Sequence, residues 1–266
     1  MRISFDKYQG AGNDFILISR ATLPRDLITA EIAFLCHRRY GIGADGLMIL
    51  DSDAANVVRM EYYNADGLPA GLCGNGARCT AAWAARNMNF SRSIHIQASD
   101  GMHRAEMLSS LEEEDRIQLS IPDQAVPQQS AEGYFLNTGS PHHIVFVPDP
   151  ARVDVEKEGA RIRHSQVYAP FGTNVNFVRK RETGLEVRTY ERGVEAETLS
   201  CGTGAVAAAL TQAYLDESQG RGGYEVEMPG GKLKVNFEFN GAKFFNVSLE
   251  GPATFVFKGE IRLAGK

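Results

Sequence analysis

The chain is sparing with cysteine, with net charge and with long apolar runs, and each scarcity removes a class of protein. Four cysteines, at positions 36, 73, 79 and 201, are spread through 266 residues without Cys-x-x-Cys spacing. The absence of that spacing argues against a zinc ribbon, suggests no metal site, and leaves free thiols in a reducing compartment as the reading. The formal net charge is only −5, and no run of Lys and Arg interleaved with aromatics could follow a phosphate backbone, so nucleic acid is not expected as a partner. No stretch approaches the roughly 18 to 20 apolar residues that a membrane span needs. Met1-Arg2-Ile3-Ser4-Phe5-Asp6-Lys7 holds no apolar signal core. The expectation is a cytoplasmic protein that meets no membrane.

What the chain has in quantity is glycine, 27 residues, and some of it stands in a repeat. Cys73-Gly74-Asn75-Gly76-Ala77 recurs as Cys201-Gly202-Thr203-Gly204-Ala205, displaced by 128 residues. Tyr62 maps onto Tyr190 and Asn64 onto Arg192 by the same step, and Gly12-Asn13-Asp14-Phe15 maps onto Gly139-Ser140-Pro141-His142 at a displacement of 127. A single repeat of this length is too long for a solenoid unit and suits two similar domains facing one cleft.

Most segments read as short strands: 2–8, 15–19, 47–50, 57–63, 93–97, 117–121, 144–147, 175–178 and 186–190, then a hairpin over 224–239 and two further strands at 244–249 and 253–258. Helices are expected over 30–38, 77–88, 153–163 and 203–215. The last of these, Ala205-Val206-Ala207-Ala208-Ala209-Leu210, is apolar on every side, as is fitting for a helix enclosed by sheet. The fold class is therefore α+β: two pseudo-symmetric domains, each a curled, mostly antiparallel sheet around a central helix. The Pro/Gln-rich stretch 122–130 has linker character. It divides a half covering 1–123, completed by a C-terminal strand within 254–266, from a half covering 124–253.

Each repeated cysteine stands where a glycine-rich turn opens a helix, so backbone amides and the positive end of the helix dipole converge there. Gly74 and Asn75, with Gly202 and Thr203, can hold a carboxylate, and the same field favours thiolate over thiol. One thiolate and one thiol on the two faces of an α-carbon is the arrangement that stereoinversion requires. Cys36 and Cys79 have no duplicate and read as packing residues.

The blocks Gly10-Ala11-Gly12-Asn13-Asp14-Phe15, Gly41-Ile42-Gly43-Ala44-Asp45-Gly46, Asn64-Ala65-Asp66-Gly67, Leu72-Cys73-Gly74-Asn75-Gly76-Ala77-Arg78, Gly139-Ser140-Pro141-His142, Asn174-Val175-Asn176-Phe177, Tyr190-Glu191-Arg192-Gly193 and Glu197-Thr198-Leu199-Ser200-Cys201-Gly202-Thr203-Gly204 together resemble the diaminopimelate epimerases along essentially the whole chain. The resemblance implies an amino-acid substrate, interconversion of its LL and meso forms without pyridoxal phosphate or any other cofactor, and a homodimer. It implies Cys73 and Cys201 as the two bases. It further implies Asn13, Asn64, Asn176, Glu191 and Arg192 as ligands of the rest of the substrate, and His142 as a residue bordering the site. The chain departs from the family pattern at Ser140, where many relatives have Asn, at Gly46, where some have Gln, at Leu68-Pro69, and at an insertion-like Val194-Glu195-Ala196. The first two touch substrate in the family.

Three other readings compete with this one. Gly41–Gly46 spells GxGxxG, but apolar Leu47-Met48-Ile49-Leu50 follows where a dinucleotide fold needs a helix. A proline or hydroxyproline racemase would keep both thiols and need no distal clamp, which Glu191-Arg192 argues against. A protein without turnover would use Cys73 and Cys201 as a redox switch or bind a carboxylate.

Overall fold

Phe15-Ile16-Leu17-Ile18 and Leu47-Met48-Ile49-Leu50 are apolar without alternation, a pattern that suits strands covered on both faces. In the computed structural model Phe15, Leu17, Met48 and Leu50 pack into one core cluster, and Ile16, Ile18, Leu47 and Ile49 into a second. The structure describes residues 1–71, 73–88, 90–111 and 114–263. Leu72 of the first cysteine block and residues 264–266 of the expected C-terminal strand lie outside the described residues.

The fold is mixed α and β, and contacts divide it into two compact units, Met1–Leu119 with Gly251–Lys266, and Ser120–Glu250. The first unit contains β1 (Arg2–Gly10), β2 (Asn13–Ser19), α1 (Thr29–Cys36), β3 (Gly46–Ala54), β4 (Val57–Asn64), α2 (Gly74–Asn87), β5 (Ser93–Ala98), β6 (Gly101–Ser110) and β7 (Glu114–Ser120). Consecutive strands pair, parallel for β2–β3 and β4–β5 and antiparallel for the rest. Residues 251–254 then pair with β7 and residues 254–262 with β1, so the sheet closes on itself. Helix α2 lies against β1, β2, β4, β5 and β6. Every residue from Asn75 to Ala84 is buried there, which is possible because Ala77, Ala81, Ala82 and Ala84 let the strands approach.

The second unit contains β8 (Gln124–Ala125), β9 (Gln128–Ser130), β10 (Gly133–Asn137), β11 (Pro141–Phe146), α3 (Val155–Arg163), β12 (Asn174–Arg181), β13 (Gly184–Glu191), β14 (Ala196–Thr198), α4 (Gly202–Leu215), β15 (Gly220–Met228), β16 (Gly231–Phe239) and the first part of β17 (Lys243–Arg262). Its pairings follow the same order: β10–β11 antiparallel, β11–β12 parallel, β12–β13 antiparallel, β13–β15 parallel, then β15–β16 and β16–β17 antiparallel. Helix α4 occupies the place that α2 has in the first unit, in contact with β10 to β13, β15 and β16.

Two expectations are corrected. Residues 122–130 are not a free linker. β8 pairs with Lys243 and Phe244, and β9 pairs with β10. Pro122 and Pro127 keep these pairings short, because proline cannot donate to a ladder. Second, the strands expected at 244–249 and 253–258 are one 20-residue strand. Gly251-Pro252 reads as a break in sequence, yet it is where β17 exchanges β16 for β7 as its partner. Among the described residues no helix is long and apolar enough to cross a membrane.

Enclosure of α4 makes a testable demand. Ala208 has no exposed surface, so Ala208→Leu should overpack the interior and cost about 1–3 kcal/mol. Denaturant unfolding reads this directly, and an unchanged midpoint would show that the helix has a free face.

Candidate active site

In the first unit the chain enters α2 through Cys73, an N-cap residue in extended conformation whose side chain makes no capping hydrogen bond. The first helical hydrogen bond is donated by Ala77 to the Cys73 carbonyl at 2.8 Å, so the amides of residues 74–76 precede the helical ladder. The β1–β2 hairpin turns through Ala11 and Gly12, at φ 53° and 83°, and this left-handed pair delivers Asn13 to the helix end. Asn13 Nδ2 donates to Asp45 Oδ2 at 2.6 Å, which leaves Asn13 Oδ1 facing Cys73 Sγ at 3.6 Å and Asn75 Nδ2 at 3.4 Å. Arg78 Nη2 donates to Asn75 Oδ1 at 2.8 Å. A chain from cation to carboxylate, Arg78 to Asn75 to Asn13 to Asp45, thus fixes which end of each amide is oxygen. Asp45 also takes Arg38, which bridges to Asp14. Burial opposes the Asp14 charge, but Arg38 and Lys7 hold its carboxyl down at about 2.

In the second unit Cys201 is likewise an extended N-cap residue, 7 % exposed, and Ala205 donates the first helical hydrogen bond at 2.9 Å. Cys201 Sγ lies 3.6 Å from Thr203 Oγ1, which lies 2.9 Å from His142 Nε2. Asn176 Nδ2 donates to the His143 carbonyl at 3.2 Å and to His142 Nδ1 at 3.1 Å. With Nδ1 an acceptor, the neutral ring carries its proton on Nε2 and donates to Thr203, whose hydroxyl hydrogen is free to point at sulfur. Burial, reinforced by the charge of Arg192, pushes His142 down to about 3, so the ring stays neutral across the physiological range. The loop before β11 supplies Thr138, whose hydroxyl donates to the Thr203 carbonyl at 2.9 Å. Gly204 is required here: a Cβ on it would stand 2.4 Å from Asn176 Oδ1.

The structure thus brings Asn13, Cys73, Gly74 and Asn75 together in one unit, and His142, Cys201, Gly202 and Thr203 in the other. Asn64 is exposed at the end of β4 and pairs with Gly46 across the ladder. A Cβ at Gly46 would lie 2.5 Å from the Tyr62 ring, so Tyr62 fills the space that a longer residue at 46 would need. Glu191 ends β13 and Arg192 follows it. Asn174 Oδ1 accepts from the Arg192 amide at 2.8 Å, and Glu191 accepts from the Thr198 hydroxyl at 2.9 Å. Ser140 is half-buried in the β10–β11 turn, its carbonyl held by the Thr138 amide. Asn176 has no exposed surface, and its amide is engaged by His142, His143 and the Thr189 hydroxyl, so it supports His142 from behind.

Several residues with a part in this geometry were not singled out by sequence: Thr138, Asp45, Thr189 and, beyond its place in a motif, Arg78. Thr138 directly precedes Gly139, the counterpart of Gly12 in the repeat, so the duplication carried a signal for it. The insertion-like Val194-Glu195-Ala196 is an exposed corner in which the Glu195 carboxylate accepts from Arg163 at 3.0 Å and from the Gly193 amide at 2.9 Å. Cys36 and Cys79 are buried, and burial pushes both thiols up to about 12. Among the described residues no group of three or more His, Cys, Asp or Glu side chains could hold a metal ion.

The sequence profile of diaminopimelate epimerase matches residues 5–116 and 134–256. A relative named diaminopimelate epimerase from Flavobacterium psychrophilum is 43% identical over 257 residues, covering 96% of this chain and 98% of its own length. Among solved structures, a phenazine biosynthesis protein of the PhzF family from Bacillus anthracis matches with TM-score 0.74 at 15% identity, over 99% of this chain and 100% of that one. A probable proline racemase from Agrobacterium radiobacter matches with TM-score 0.69 at 12% identity, over 98% and 93%. At these identities the two structures establish likeness of fold alone.

The neutral His142 makes folding stability depend on pH with a definite sign. Unfolded, the ring takes a proton below about pH 6.5, whereas folded it does so only near pH 3. Between these values the unfolded chain binds more protons, so this stability is complete above pH 6.5 and is lost as pH falls toward 3. His142→Gln should be less stable at pH 7 and show a shallower loss between pH 6 and 4. Equal slopes in denaturant titrations across that window would contradict the buried neutral ring.

Proposed function

Because the chain belongs to the diaminopimelate epimerase family, we propose that it inverts the α-carbon of diaminopimelate between the LL and meso forms with Cys73 and Cys201 as its two acid/base groups. The enzyme is an isomerase. The observation that carries the reading is the paired helix opening: in each unit a cysteine is the uncapped N-cap of an enclosed helix, with a fixed polar partner 3.6 Å from its sulfur. One thiolate removes the α-proton, and the electron pair passes into the carboxylate. The other thiol donates its proton to the opposite face of the carbon, and the two sulfurs have then exchanged protonation states. The amides of residues 74–76 and 202–204 are the groups to stabilise charge as it builds on that carboxylate. In this reading those amides take the charge-stabilising part that a pyridoxal electron sink plays in other racemases, and the proton moves between substrate and cysteines alone.

Asn13 and Asn75, Thr203, Asn64, Glu191 and Arg192 are the further ligands in this reading, with Arg192 gripping the distal carboxylate and Glu191 the distal ammonium. The shared order of pairings supports treating the two units as pseudo-symmetric halves of one duplicated architecture, each a curled sheet around its helix. The reading extends to a homodimeric, cytoplasmic enzyme of lysine and cell-wall precursor synthesis, on the strength of family membership.

Turnover of LL-diaminopimelate in D2O, without added cofactor, tests the chemistry. Early product should carry deuterium at the inverted carbon while recovered substrate stays unlabelled, because the donating thiol exchanged with solvent before substrate bound. Cys73→Ser and Cys201→Ser should each slow inversion by at least about 100-fold, a hydroxyl being a far weaker acid than a thiol. Early product that keeps substrate hydrogen, or either serine variant near wild-type rate, would sink the two-base reading. Inversion of L-proline in its place would refute the substrate.

A further inference from the structure

Asn13 reaches the opening of α2 with its amide already committed to one orientation. Its Nδ2 donates to Asp45 Oδ2 at 2.6 Å, whereas its Oδ1 makes two longer contacts, 3.6 Å to Cys73 Sγ and 3.4 Å to Asn75 Nδ2. The short bond to a carboxylate decides the orientation. The end of the amide beside Cys73 is therefore an acceptor, and its long contacts leave it the capacity for a short bond to a charged donor.

Asp45 is itself held from two sides. The Asp14 amide donates to the same Oδ2 at 3.2 Å, and Arg38 Nη2 donates to Oδ1 at 2.6 Å. Arg38 also grips the Asp14 carboxylate, which takes the buried Lys7 at 2.6 Å. Two cations and two carboxylates make up this network, so it balances its own charge and acts on Asn13 by geometry.

The second repeat does not copy the arrangement. β11 pairs with β12 as β2 pairs with β3, with His142 opposite Asn174 and Phe15 opposite Gly46. On that register Ser140 stands for Asn13 and Thr173 for Asp45. Both helix openings offer backbone amides, but the amide side chain aimed by a carboxylate belongs to the first unit alone. An α-amino acid has the same asymmetry: its reacting carbon bears a carboxylate, which both sets of amides suit, and a single ammonium.

We infer that Asp45 is a positioning residue for substrate recognition, aiming Asn13 Oδ1 at the ammonium on the reacting carbon. The inference rests on the reading that places that carbon at Cys73 and the α2 amides. Of the four substituents on the carbon only the ammonium donates hydrogen bonds, so only it suits a fixed acceptor. An oxygen that accepts from the ammonium also favours its charged form, and the charge draws electrons from the C–H bond that is broken.

Kinetics of Asp45 variants, with pimelate as competitive inhibitor, test this. Pimelate has the carbon chain and both carboxylates of the substrate but no ammonium. Asp45→Ala releases the Asn13 amide and should lower kcat/KM for LL-diaminopimelate about tenfold, the scale of one hydrogen bond to a charged group. The inhibition constant of pimelate should stay unchanged. Asp45→Asn should keep most of the activity, because the Asp14 amide retains an oxygen at that position and Asn13 keeps its partner. Equal weakening of substrate and pimelate in folded Asp45→Ala would mean a deformed site and overturn the inference, as would an unchanged kcat/KM. Asp45→Asn as impaired as Asp45→Ala would assign the effect to charge and overturn it too. Should Asp45→Ala not fold, a tenfold loss in Asp45→Asn would suffice to overturn it. The deuterium experiment on the wild-type protein judges the underlying reading separately, so the two failures are distinguishable.

Discussion

A helix wrapped in sheet has little solvent along its flanks, so the unpaired backbone groups at its ends, the N-terminal amides among them, must be met by the protein around it. Everything at the two cysteine positions follows from that constraint. Alanine-rich sequences let the strands close on α2 and α4. The helix openings then need support from the strands around them, and the turns after β1 and β10 provide it: Asn13 in one unit, Thr138 in the other. A polar end inside an apolar enclosure is where a small anionic group is bound most strongly, because no water competes for the amides.

The two openings share a backbone and differ in electrostatics. Around Cys73 the supporting chain begins at a guanidinium and ends at a carboxylate pinned by Arg38. Around Cys201 it runs through neutral groups from Thr189 to Asn176, His142 and Thr203. Duplication supplied equal frames, and substitution at a few positions, such as Arg78 against Val206, made them unequal.

Much of this was legible in sequence because a repeated motif carries its own control. A lone Cys-Gly-x-Gly would read as packing, whereas two at one displacement, each opening an apolar helix, read as a site. The non-alternating runs at 15–18 and 47–50 likewise announced strands covered on both faces. What escaped was set by partners distant in the chain. The strands at 124–125 and 128–130 exist only because β17 and β10 lie beside them. The resemblance offers Asn176 as a ligand, and only the fold shows its amide engaged beneath His142. Arg78 was in plain view, but nothing local tells that an arginine on a helix is buried without a carboxylate.

The change of partner at Pro252 has a further consequence for how the chain is assembled. The second unit is contiguous, Ser120–Glu250, whereas the first cannot complete its ring until residues 251–262 arrive beside β1 and β7. During synthesis β1 therefore emerges with one edge open and waits for a strand some 250 residues away, as Arg2 opposite Arg262 makes plain. Closing so long a loop adds little entropy beyond that of a moderate one, but it delays the first half until the second exists. Residues 2–9, an exposed edge throughout that interval, carry Arg2, Asp6 and Lys7 among their apolar side chains, the kind of charge that keeps an unpaired strand from recruiting a wrong partner.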